Sequence, residues 1–451
     1  MVAFDRGAHR ADSARNTLLD LAEAALQAVD PARAVKAALR LEGRTLRVGP
    51  HLIELTGVDR ARLLALGKAA VPMAEAAQAV LADLAPTGVA VSPAPRTIPG
   101  IDVIRGDHPT PSSDSLHAGH RLLDGARAAG PTEVAVVLIS GGGSALAEVP
   151  AGGLDLADLQ AVNEALLRCG APIGAVNTVR KHLSALKGGQ LAVQAAKAGA
   201  LATVILSDVV GSPVDMVASG PTVPDPTRHA DAVQVLKRFC VWQNLPAAVR
   251  AHLERGAAGE LEETPSGGPA FDGRVWTVAA DGAVAARAAA DAAASWGMPA
   301  RVIRTDLRGE AREQGRAMVR AHRHMAPGSV AVYAGETTVA VRGSGLGGRN
   351  QELALAAALE LAEGSDLVVL ALGTDGIDGP TPSAGAFADR HTVARGRAAG
   401  VDARDHLARN DSHRFLRAVG GTVDCGPTGT NVGDLVFLHR PASGARKLSP
   451  G

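Results

Sequence analysis

The chain has 451 residues, more than one core ordinarily organises, so two domains are expected. Its 46 basic side chains balance 46 acidic ones and aromatics make up 2%, which leaves neither a basic field nor a stacking surface for nucleic acid. Cys169, Cys240 and Cys425 form no CxxC pair or Cys/His cluster at zinc spacing, and no apolar run nears the ~18 residues of a membrane span, so a cytoplasmic protein without disulfides, structural zinc or membrane partner is expected.

From Thr17 to Leu39 an Ala/Leu-rich stretch has helical periodicity. Short apolar runs then alternate with helical segments: ARLLALG, VAV, IDVIRG, EVAVVLIS and LATVILSD. Such alternation predicts a mostly parallel sheet covered on both faces. The first run ends in a Gly-Lys turn at Lys68. The fourth ends in Ser140-Gly141-Gly142-Gly143-Ser144, where backbone N–H groups can approach an anion without Cβ obstruction. No GxxxxGK[ST] pattern occurs, so this phosphate cradle is not a Walker A loop. Residues 174–189 read as one amphipathic helix, with Val176, Val179, Leu183 and Leu186 inside. Asn177, Arg180, Lys181, Ser184 and Lys187 fall on its adjoining faces, as a cationic surface that suits anionic ligands or simply water. Asp208 ends the next run, where a carboxylate can hold Mg²⁺, accept a proton or close a turn.

Gly, Pro, Ser and carboxylates dominate residues 256–273, which marks a domain boundary or a long surface excursion. The expected domains are therefore 1–264 and 265–451. Strand-like runs resume as RVWTVAADG, ARVIRTD, SVAVYAG, TTVAVRG, DLVVLALG and DLVFLH. Gly343, Gly345 and Gly348 satisfy G-x-G-x-x-G between an expected strand and a helix, a pattern open to a nicotinamide cofactor, a phosphate clamp or a Gly-rich turn. The helix opens on Arg349, whose guanidinium suits an anion better than a close pyrophosphate approach. Asp375 and Asp378 close another strand, and residues 426–434 gather hydroxyls and an amide before the last one. Strands that run into Gly-rich turns in both halves suggest one cleft at their carboxyl ends.

Eight stretches, in order from about residue 60 to 440, resemble the glycerate 2-kinase family with its MOFRL module: LALGKAAVPMA, GDHPTPSSDSLHAG, LISGGGSALAEVP, NTVRKHLSALKGGQLA, LSDVVGSPVDMVASGPTVPDPT, GETTVAVRGSGLGGRNQELAL, GTDGIDGPTPSAGAFAD and GPTGTNVGDL. The resemblance implies an α/β protein of two domains, a Rossmann-like doubly wound sheet followed by a MOFRL α/β domain, with an interdomain active-site cleft. It implies transfer of the ATP γ-phosphoryl group to the 2-hydroxyl of D-glycerate, with ATP and Mg²⁺, and leaves assembly as a homodimer open. It makes Lys68 and Arg349 catalytic, and Asp208 and Asp375 either metal ligands or the acceptor of the substrate proton. Ser140 to Ser144, Arg180, Lys181, Lys187, Glu336 and Asn350 would bind substrate or phosphate. His108, His182 and His413 read as structural or rim residues. Two carboxylates that the family usually has are absent, at Ser212 and after Thr381, where Pro382 and Ser383 stand; Asp208, Asp215, Asp375 and Asp378 remain. An NAD(P)H-dependent hydroxypyruvate reductase is the alternative, resting on the Gly343 to Gly348 pattern, and a catalytically dead binding protein for small organic acids is a third reading.

Overall fold

Three short strands, β1 (Leu39–Glu42), β2 (Thr45–Val48) and β3 (His51–Glu54), pair antiparallel ahead of the main sheets. The computed structural model describes residues 3–9 and 12–442. The apolar runs of the N-terminal part become β4 (Arg60–Leu66), β5 (Thr87–Ser92), β6 (Ile101–Arg105), β7 (Glu133–Ile139), β8 (Ala200–Leu206) and β9 (Val275–Ala280). Their order across the sheet is β6-β5-β4-β7-β8-β9, with β4/β5, β5/β6, β4/β7 and β7/β8 parallel. β7 and β8 are buried at every position, as central strands covered on both faces must be. Counted from β4, this is the Rossmann order, in which direction reverses beside the first strand. The reversal lies between β4 and β7, whose carboxyl ends lead into Lys68 and Ser140.

The C-terminal part forms a second sheet from β10 (Ala300–Leu307), β11 (Val330–Gly335), β12 (Val368–Gly373), β13 (Gly385–Ala388), β14 (Thr422–Val423) and β15 (Asp434–His439). Its order is β10-β11-β15-β12-β13-β14. Here the expected mostly parallel arrangement gives way: β10/β11 is parallel, but β15 inserts antiparallel between β11 and β12, and β13 and β14 follow antiparallel. A run of apolar residues reports a buried strand, not its direction. TTVAVRG forms no strand at all, and Val341 within it is 78% exposed.

The single helix expected from Thr17 to Leu39 is two, Ser13–Ala28 and Pro31–Ala38. Pro31 removes a donor and disfavours helical geometry at Asp30, so the first helix ends before it. The chain also changes unit at this break. Pro31–Ser207 and Ser212–Ala279 make one compact unit; Asp208–Gly211, the chain from Ala280 onward and the chain up to Asp30 make the other. The expected boundary at 264/265 is therefore displaced, because residues 256–273 are a surface excursion of the first unit. The Asp225 N–H donates to Pro265 O at 2.9 Å, Thr264 Oγ1 donates to Asp225 at 2.9 Å, and Arg274 reaches the carbonyls of Ala196 and Ala198. β9 then completes that unit's sheet before the chain leaves it.

In the second unit the Asp12 carboxylate caps the opening helix through the N–H groups of Ala14 and Arg15. Leu18, Leu21, Ala22 and Ala25 are buried on that helix, which packs against the helix Gly282–Ser295. The helix Arg349–Leu361 is buried along nearly its whole length and sits in the core with Leu307, Val369, Phe415 and Val436. The helix Ala311–His322 crosses it so closely that a Cβ on Gly315 would lie 2.3 Å from Leu353 O. Among the described residues no helix is long and apolar enough to cross a membrane.

Candidate active site

At the reversal point, the segments that follow the parallel neighbours β4 and β7 approach at a distance that only glycine allows. Gly67 has φ +128°, and a Cβ there would stand 2.2 Å from Ser140 Oγ. The approach is fixed by hydrogen bonds from Ser140 N–H to Leu66 O and Lys68 N–H to Gly141 O, both 2.9 Å. Ser140 Oγ accepts from Ala69 N–H at 3.0 Å, so this 3% exposed side chain holds the Gly-Lys turn rather than facing a ligand. Gly142 adopts φ +82° and starts a single helical turn, Gly143–Leu146. Among the described residues no protein acceptor takes the N–H groups of Gly141, Gly142, Gly143 or Ser144. Ser144 Oγ lies 2.8 Å from Ser219 Oγ, which donates to Asn177 Oδ1 at 3.0 Å.

Gly142 backs onto two side chains, since a Cβ there would meet His108 and Lys68 each at 3.2 Å. Burial, with the charges of Lys68 and Arg180 nearby, lowers His108 to about 4, so its ring is neutral at pH 7. Lys68 is exposed. Uncommitted loop N–H groups, an ammonium and a neutral imidazole together form a surface receptive to an anion. A structural or rim position is expected for His108 from sequence, and the fold places its ring against Gly142.

The cationic helix face is corrected. The helix covers Ile173–His182 and ends before Lys187, with positive φ at Gly188 and Gly189. Lys181 and Lys187 are each 1% exposed. Lys181 Nζ pairs with Asp215 at 3.0 Å and Asp225 at 3.3 Å, and Lys187 Nζ pairs with Glu148. Both therefore neutralise buried carboxylates and are not presented to phosphate. Arg180 remains near the loop, its Nε donating to Asn163 Oδ1 at 2.7 Å, and burial works against its charge. Replacing Lys187 by Ala strands the 3% exposed Glu148 and is expected to destabilise the protein by about 3–5 kcal/mol in urea unfolding. The double variant Lys187→Met/Glu148→Leu should recover most of that loss.

A second set of charged groups lies in the other unit. Arg349 opens its helix behind Gly348, where a Cβ would stand 2.2 Å from Asp378 Cγ. Asp378 accepts from the N–H groups of Asn350 at 3.0 Å and Gln351 at 2.9 Å, supplying the cap that Gly348 cannot. Burial pushes Asp378 up to about 6, opposed by those N–H groups. Asn350, 1% exposed, donates from Nδ2 to Asp378 at 3.2 Å, so it belongs to this cap. The guanidinium is held by three bonds: Nε to Asp434 at 2.6 Å, Nη2 to Asp434 at 3.0 Å, and Nη1 to Glu336. Burial opposes its charge, but Asp434 and Glu336 outweigh burial and hold it above the ordinary arginine range.

Burial, then the charges of Asp434 and Asp208, push Glu336 up while Arg349 pulls it down. Asp434 was missed in the sequence. Its register neighbours are Gly335 and Gly373, the last residues of β11 and β12, because β15 starts where those strands end. Asp375 accepts from Ile377 N–H at 3.1 Å, and among the described residues its other carboxylate oxygen has no hydrogen-bond donor. Of the four carboxylates that remained after the two departures, Asp215 pairs with Lys181 and Asp378 caps the helix that Arg349 opens.

The glycine pattern at 343–348 serves chain packing. A Cβ on Gly343 or Gly345 would collide with residues 409–411 at 2.5 Å. The N–H groups of Arg342 and Gly343 donate to Asn410 Oδ1, Gly345 N–H to Arg409 O, and Leu346 N–H to Asp411 Oδ1. A pyrophosphate would find those donors taken and no strand before them, so the dinucleotide reading loses its ground.

The model described as a domain of unknown function (DUF4147) matches residues 17–254, and the MOFRL family model matches residues 329–434. A glycerate 2-kinase of Pyrococcus horikoshii is 38% identical over 429 residues, covering 93% of this chain and 96% of that protein. The chain belongs to the glycerate 2-kinase family. A D-glycerate 2-kinase of Thermotoga maritima is 35% identical over 440 residues, 94% of this chain and 98% of its own. The crystal structure of a Thermotoga maritima glycerate kinase matches with TM-score 0.82 at 33% identity, covering 95% of this chain and 100% of that one. A relative from Agrobacterium vitis, named provisionally as a hydroxypyruvate reductase, is 38% identical over 94% of each chain. In this member of the glycerate 2-kinase family the G-x-G-x-x-G loop lacks the free donors that such chemistry would need.

Proposed function

We propose that the protein transfers the γ-phosphoryl group of ATP to the 2-hydroxyl of D-glycerate, giving 2-phosphoglycerate and ADP. The observation that carries this reading is the Gly141 to Ser144 loop, whose N–H groups have no protein acceptor among the described residues and which lies beside Lys68. Phosphoryl transfer asks a protein mainly for positioning and for positive potential around the transferring group. Lys68 and the loop N–H groups supply both at the end of β4 and β7. Arg349, fixed by Asp434 and Glu336, presents a planar guanidinium suited to the substrate carboxylate or a phosphoryl oxygen. Asp208 or Asp375 accepts the proton that leaves the 2-hydroxyl.

Mg²⁺ fits the donor set, because Asp208 and Asp375 offer hard carboxylate oxygens and, among the described residues, one oxygen of Asp375 accepts no hydrogen bond. The described carboxylates form no closed three-ligand cage, which suits a cation held by one or two carboxylates together with the phosphates. When bound, Mg²⁺ would neutralise charge on the β- and γ-phosphate oxygens.

Purified protein with D-glycerate, ATP and Mg²⁺ should release ADP and place phosphate on the 2-oxygen by NMR. Activity should vanish in excess EDTA and return with Mg²⁺. Phosphate on the 3-oxygen would refute the position of transfer. NADH oxidation on addition of hydroxypyruvate, without ADP, would restore the reductase.

A further inference from the structure

The unit that carries Lys68 also holds a cluster unconnected to the proposed chemistry. His182 ends the helix Ile173–His182, His229 opens the helix His229–Arg238, and Glu263 lies in the surface excursion before β9. One ligand atom from each lies within 4.8 Å of the others, and among the described residues this is the one grouping of three or more His, Cys, Asp or Glu that does so. Glu263 Oε2 is 2.8 Å from His229 Nδ1 and 3.6 Å from His182 Nε2. We infer that His182 Nε2, His229 Nδ1 and Glu263 Oε2 form a binding site for a borderline divalent cation, Zn²⁺ foremost, that staples this excursion to the two helices.

The geometry and the chemistry both suit that cation. Ligands about 2.0–2.1 Å from a tetrahedral zinc stand roughly 3.3 Å from one another, so shifts of under about an ångström would bring the two measured separations into range. His182 Nδ1 donates to Thr178 O at 2.8 Å. That bond leaves Nε2 of the neutral ring as a lone pair facing the cluster, the outer-shell arrangement that orients zinc-binding histidines. His229 is clamped from behind, for a Cβ on Gly256 would stand 2.3 Å from its ring carbons. The side chains of His182 and His229 are 0% and 4% exposed, while that of Glu263 is 40% exposed, giving a dry site with an entrance.

Lys181, which precedes His182 in the chain, is already compensated by Asp215 and Asp225. Thr264 Oγ1, 3.3 Å from His182 Nε2, lines the remaining side, where water can complete the coordination. For a metal to bind at His229 Nδ1, the proton that this nitrogen now shares with Glu263 moves to Nε2 of the same neutral ring. The ligands are dozens of residues apart in the chain, so the cluster has no spacing signature, and it runs against the expectation of no structural zinc.

The test is retention of metal by the full chain, stripped with chelator and then titrated with Zn²⁺ alone. Wild type should bind one equivalent that His229→Gln and Glu263→Gln lose, each by more than the ~10–100-fold that removal of an outer-shell partner costs. Co²⁺ in place of Zn²⁺ should give the visible absorption of tetrahedral nitrogen/oxygen coordination in wild type only. Equal zinc affinity in wild type and the folded Glu263→Gln variant would overturn the site, as would absence of stoichiometric binding in wild type. The readout is metal retention and is independent of glycerate turnover.

Discussion

Arg349→Ala should lower kcat/KM for D-glycerate at least ~100-fold, the scale of removing a fixed charge from a developing phosphoryl transition state. The same substitution should also weaken the fold, and the two effects separate. Asp434 is 2% exposed and two of its hydrogen bonds come from the Arg349 guanidinium. Without them a buried carboxylate loses its partner, at a cost of roughly 1–3 kcal/mol or more. Adding Asp434→Asn to Arg349→Ala removes the stranded charge and should recover much of the urea midpoint without restoring turnover. Arg349→Lys should keep one ion pair but lose the fork that spans Asp434 and Glu336, and its activity should fall nearer to Ala than to wild type. Near-normal kcat/KM in a folded Arg349→Ala protein would remove this residue from the mechanism.

How far the sequence reaches depends on which physical fact a pattern encodes. β4, β5, β7 and β8 were legible because buried parallel strands are continuous apolar runs that end in turns. Their order was not, yet that order puts Lys68 and the Ser140 to Ser144 loop side by side. β15 was legible as a strand but not as an antiparallel insertion. A search confined to carboxyl ends of strands therefore passed over Asp434, which arrives beside them from an amino end. Lys181 and Lys187 read as a cationic face because their partners are distant in sequence: Asp215 and Asp225 lie 34 and 44 residues from Lys181, and Glu148 lies 39 from Lys187. Gly343 to Gly348 signalled close backbone approach correctly; what approaches is the 409–412 segment of the same unit. The Gly/Pro-rich excursion at 256–273 resembled a linker by composition, and its bonds to Asp225 and His229, which tie it to the first unit, leave no mark in composition.

Lys68→Ala should be the functional opposite of Lys187→Ala. Lys68 is exposed, and among the described residues its ammonium makes no ion pair, so its loss should shift stability by no more than about 0.5 kcal/mol. Its loss should nevertheless reduce kcat/KM for D-glycerate at least ~100-fold, because its ammonium lies beside Gly142, where it can act with the loop N–H groups on the same anion. A second readout checks the geometry without turnover. Burial is the main reason His108 sits at about 4, and the positive charge of Lys68 is the next. Removing that charge should move the His108 titration upward while burial still keeps it below the ordinary histidine value, which NMR of the ring can follow. An unmoved His108 would mean that the ammonium does not dwell beside Gly142. An upward shift with unchanged kcat/KM would place Lys68 at the loop but outside the chemistry.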